Sequence, residues 1–232
     1  MDDSKYWFVC NDIFHMLPLI RNHSARYIRK IRLFTCACVR KIWHLLPLEG
    51  SKNIVEAAEK YANGEETLKN LQYYEKIAWD ISISSPSIAT FAAMSTAWAC
   101  RVKSVCPITS CMPSIRASLT ANAEESNMFC ANSLIHPKAN AGLCELLRDI
   151  IFNPFEPIIE VPASTRDVQN LAEAVYYNTL PDGKLDRNIL GVLKDSIEER
   201  GNYNIQILEA FKQSLNKDVY KGFWPLDLIL ER

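Results

Sequence analysis

Eight cysteines and four histidines are the residues of this chain best suited to ligate a metal or to act as nucleophile and base. The tightest pair is Cys36-Ala37-Cys38. On a helix two such side chains point about 200° apart, so they cannot share a tetrahedral ion unless the helix unwinds. Cys100, Cys106 and Cys111 are followed by Cys130 and His136. Their spacing is looser than the two tight pairs that zinc sites usually use. The histidines, His15, His23, His44 and His136, could serve as general bases near neutrality. None lies in a nucleophile elbow, a His-Glu-x-x-His helix or a phosphate loop. The adjacent carboxylates Glu124-Glu125 and Glu198-Glu199 diverge by about 100° on a helix, which suits a solvated face. Buried structural thiols are therefore expected, with no catalytic residue, metal or cofactor assigned. A thiol-dependent enzyme is the weakest of the alternatives.

Charge offers a second kind of chemistry. Residues 13–48 contain no acidic side chain, while Arg21, Arg26, Arg29, Lys30, Arg32, Arg40 and Lys41 are all basic. A helix presenting such a stripe can meet an acidic surface of a partner protein, or neutralise phosphates. The sequence pI of about 6.4 and the lack of a base-stacking motif favour protein over nucleic acid. The partner-binding candidates are Arg26, Arg29, Lys30, Arg40 and Lys41. A nucleic-acid role for the basic helix 21–41 is the alternative.

These residues need a scaffold, and the bulk composition indicates its class. Hydrophobic residues make up 48% and charged residues 23%, a globular balance. Only 7 glycines are present, too few for a turn-rich β fold. Residues 1–113 carry 14 Lys/Arg against 10 Asp/Glu, and residues 114–232 carry 12 against 17, so a basic and an acidic part are expected. The acidic start, Met1-Asp2-Asp3, does not read as a secretory signal, which together with the buried-looking cysteines implies a reducing cytoplasm. Residues 81–100 are uncharged, but they include Pro86 and seven Ser/Thr, so a core helix is expected there and no membrane span.

Apolar spacing is helical nearly throughout. The clearest helix covers residues 24–46, with Ile28, Ile31, Cys38, Val39, Ile42, Leu45 and Leu46 inward and Arg26, Arg29, Lys30, Arg40 and Lys41 outward. Pro47 stops it. Ser51 reads as the N-cap of the next helix, which places Ile54, Val55, Ala58 and Tyr61 on one face and closes at Gly64. Residues 65–80 follow with Leu68, Leu71 and Ile77 inward. Ser85-Pro86 opens a helix carrying Ala89, Ala93 and Ala97, and a further helix is expected over 114–130. Helices are also expected at 141–152, 165–178, 186–200 and 204–215, with an extended connection at 155–162 and Gly201 as a C-terminal cap. The apolar tail holding Phe223, Trp224, Leu226, Leu228, Ile229 and Leu230 is expected to dock on its own core.

Three segments, taken together, carry a likeness. They are Arg32-Leu-Phe-Thr-Cys-Ala-Cys-Val-Arg-Lys-Ile-Trp-His-Leu-Leu46, Leu146-Leu-Arg-Asp-Ile-Ile-Phe-Asn-Pro-Phe155 and Gly222-Phe-Trp-Pro-Leu-Asp-Leu-Ile-Leu230. Their order and spacing resemble an uncharacterised bacterial group of helical proteins, abundant in planctomycetes, with RLFACACCRRIWHLL-like and LLRDIFGNPF-like signatures. Val39 stands where that group has a further cysteine, and Phe152 where it often has glycine. The resemblance implies a helical fold and a cytosolic setting, and brings no activity with it.

The expectation is an all-α chain, an irregular multi-helix bundle of about eight to ten helices. It forms either one continuous domain or two packed subdomains, 1–113 and 114–232. Its expected role is that of a non-enzymatic cytosolic adaptor or regulatory subunit that binds a partner protein.

Overall fold

The computed structural model describes residues 2–21, 26–46, 49–84, 93, 96, 97, 99, 101, 115, 116, 137–157, 159–162 and 164–232. Among them are ten α-helices: α1 (Asp3–Val9), α2 (Ile13–Leu19), α3 (Ile28–Arg40), α4 (Glu49–Ala62), α5 (Leu68–Ser84), α6 (Pro137–Ile150), α7 (Arg166–Tyr177), α8 (Arg187–Arg200), α9 (Ile205–Ser214) and α10 (Trp224–Ile229). The described residues contain no strand, so the fold is all-α as the periodicity indicates. None of these helices is long and apolar enough to cross a membrane. The chain forms two compact units, Met1–Leu147 and Arg148–Arg232. The expected 113/114 boundary lies outside the described residues, as do Ser85-Pro86, Ala89 and most of the helix expected at 114–130.

In the first unit α3 packs on α4, and α4 on α5. Helix α3 is shorter than its apolar spacing suggests. It ends at Arg40 and tightens into a 3-10 turn over Trp43–Leu45, a common way for a last turn to satisfy its carbonyls. Ile31 and every residue from Leu33 to Arg40 are buried, so this helix is enclosed on nearly all sides and not on one face. Two residues expected inward are exposed instead, Ile28 at 52% and Leu68 at 45%. Both stand in first turns, where the apolar stripe runs past the end of the core.

Ile54, Val55 and Ala58 of α4 are buried as their spacing indicates. Ser51 is not its N-cap, because the helix already begins at Glu49. Its hydroxyl is instead buried in the first turn without a hydrogen-bond partner. At the other end Gly64 takes φ +75°, and Glu65 N–H donates to the Lys60 carbonyl at 2.8 Å, closing the helix as glycine does at this position. Thr67 then starts α5 by accepting from Asn70 N–H at 3.2 Å.

The second unit packs α7, α8, α9 and α10 around Val168, Val175, Tyr176, Leu193, Ile207, Phe211, Phe223 and Leu226. Asp186 and Asn204 cap α8 and α9, accepting from Asn188 N–H at 2.8 Å and Gln206 N–H at 2.7 Å. Gly201 at φ +66° ends α8, where a glycine was expected. The apolar tail is built into this core: Phe223 meets Phe211 edge to face at 5.5 Å, and Leu226 is fully buried. Phe152 and Trp224 meet here, their ring centres 4.8 Å apart, and the Asp149 carboxylate is ion-paired to Lys217.

Two substitutions test this packing. Phe223→Ala is expected to cost about 3–5 kcal/mol of stability in urea unfolding, the usual range for an aromatic removed from a core. Ser51→Ala removes a desolvated hydroxyl that makes no bond. It is expected to raise stability by about 1 kcal/mol, seen as a higher urea midpoint at unchanged slope.

Candidate functional site

The basic residues of α3 do not form one stripe. Arg40, expected outward, is 5% exposed. It lies at the end of α3 facing α4, where its Nε donates to Glu59 Oε1 at 3.0 Å and its Nη2 to Glu59 Oε2 at 2.9 Å. The guanidinium carbon also sits 4.1 Å from the centre of the Trp43 ring. Burial alone would lower the affinity of Arg40 for its proton. The Glu59 carboxylate more than offsets this, so the guanidinium is held above its ordinary value and stays charged. A bidentate, desolvated pair capped by an aromatic face leaves this arginine with no surface to offer a partner.

Arg29 and Arg32 are also committed inside the unit. Arg29 Nε and Nη2 both donate to Asn63 Oδ1, at 3.2 and 3.0 Å, which ties the first turn of α3 to the end of α4. Arg32 Nη1 and Nη2 donate to the carbonyls of Ala99 and Arg101 at 3.0 and 3.3 Å, and its guanidinium lies 5.1 Å from the Tyr61 ring centre. Lys30 is half-buried. Arg26 and Lys41 are exposed at opposite ends of the helix, and the Arg26 guanidinium lies 5.5 Å from the Tyr27 ring centre. Of the five candidates, the geometry therefore leaves Arg26 and Lys41 outward, Arg29 and Lys30 partly covered, and Arg40 buried. Arg26 lies two residues before the exposed Ile28, just ahead of the start of α3. Through Arg29 and Asn63 the first turn of α3 adjoins the corner leading to the exposed Leu68.

Cys10, Cys36, Cys38 and Cys144 carry buried thiols, each at 4% exposure or less. Among the described residues no three His, Cys, Asp or Glu side chains are grouped to hold a metal ion. Cys100, Cys106, Cys111, Cys130, His23 and His136 lie outside the described residues.

One polar cluster escaped the sequence reading. Asp12 caps α2, accepting from Phe14 N–H at 2.9 Å, from Asn140 Nδ2 of α6 at 3.2 Å, and pairing with His15 Nδ1 at 2.9 Å. Asn140 Oδ1 in turn accepts from Ile13 N–H at 2.8 Å. Cys10 Sγ donates to the Asp12 carbonyl at 3.3 Å. The local signal was present, an aspartate immediately before the apolar run Ile13-Phe14, which is the mark of a helix start. The partner 128 positions away carried no such signal. Burial works to raise the Asp12 carboxyl, and its bonds from Asn140, Phe14 and His15 outweigh burial, so it is held below the usual carboxylate range.

The buried pair and the cap each yield a measurement. Glu59→Ala strands the Arg40 charge and is expected to cost about 3–5 kcal/mol. Arg40→Met combined with Glu59→Leu is expected to be neutral or stabilising in the same urea titration. Because the folded value of Asp12 lies below its unfolded value, its contribution is complete above about pH 4 and is lost as pH falls through the folded value. Thermal melts of Asp12→Asn against the parent are expected to show a shallower acid limb over that window.

Compared with models of protein families, with curated proteins and with solved structures, the chain matches none.

Proposed function

We propose that this chain is a non-enzymatic protein-interaction module, a cytosolic adaptor or regulatory subunit of bacterial type, whose partner docks at the first turn of α3. The observation that carries this reading is the exposure of Ile28 beside Arg26. An isoleucine in register with the buried stripe, yet half open to solvent and two residues after the exposed Arg26, suits an apolar anchor with a charged flank. Leu68, exposed in the first turn of α5, follows the corner that Arg29 reaches through Asn63. Arg29 and Lys30 line this end of α3, and Lys41 marks the other. Arg40 takes no part in it.

A nucleic-acid role has less support. A stripe that follows phosphates needs its cations in sequence along the helix, and Arg32 and Arg40 are spent on protein acceptors between the exposed Arg26 and Lys41. A thiol-dependent activity has less support as well, since the four described thiols are buried. The likeness to the planctomycete group belongs to the same proposal and would place this chain among proteins sharing the segments at 32–46, 146–155 and 222–230.

A photo-crosslinking amino acid at position 28, introduced into the full chain in living cells, tests the docking surface. The expected result is one discrete protein adduct that disappears with Arg26→Glu while circular dichroism stays unchanged. An adduct with nucleic acid, or none at all in a folded protein, overturns the proposal.

A further inference from the structure

No further inference is drawn: the strongest candidate, the side-chain cluster at the start of α2 where Cys10 and Asp12 meet Asn140 of α6, is accounted for by helix capping and a buried thiol, and no second observation there points to a ligand.

Discussion

The bidentate pair between Arg40 and Glu59 sets the terms for the whole first unit. Two charges taken out of water cost several kcal/mol each unless their geometry restores what hydration supplied. Here both carboxylate oxygens accept and the Trp43 ring covers the guanidinium face, so that requirement is met. The consequence is positional. An uncommitted charge in this place would be desolvated without compensation. With the pair formed, Cys36, Ala37, Cys38 and Val39 can pack inward together, although their spacing covers every side of a helix. The buried end of α3 thus accommodates a charge only as a paired one, and the same pair takes Arg40 away from any external partner.

Much of the architecture was legible because caps and apolar periods report local physics. Gly64 and Gly201 adopt left-handed backbone where helices were expected to end, and Leu143, Leu146, Leu147 and Ile150 form the stripe that their spacing describes. What escaped was set by distant groups. A helical wheel places Arg40 outward because it knows nothing of Glu59, nineteen residues on. It places Ile28 and Leu68 inward because a wheel has no ends, whereas a core does. Ser51 looked like a cap by residue type, but the helix began two residues earlier, leaving its hydroxyl inside. The candidate site was legible as a list of cations and illegible as a surface, since residue type does not record which guanidinium is already spoken for.

The second unit shows a different economy. Two of its helices, α8 and α9, carry explicit side-chain caps, and its closing segment supplies core instead of trailing from it. Phe223, Leu226 and Ile229 fill space between α7 and α9, while Arg232 reaches back so that its Nη2 donates to the Tyr177 hydroxyl at 2.6 Å. A salt network ties the connection before α8 to the one after α9: Lys184 contacts Asp182 and Asp218, and Arg187 contacts Asp218 at 2.7 Å. These exposed bridges contribute little individually, so the unit's stability rests on its buried aromatics and aliphatics.

The bond from Ile13 N–H to Asn140 has a temporal side. Its two ends are 127 residues apart in the chain, and synthesis proceeds at about 5–20 residues per second. The start of α2 is therefore synthesised roughly 6–25 s before the side chain that completes it. During that interval Trp7, Met16 and Leu17, all deeply buried in the finished protein, lack this part of their final setting. Residues 3–19 are therefore made well before one of the bonds that fixes the start of α2.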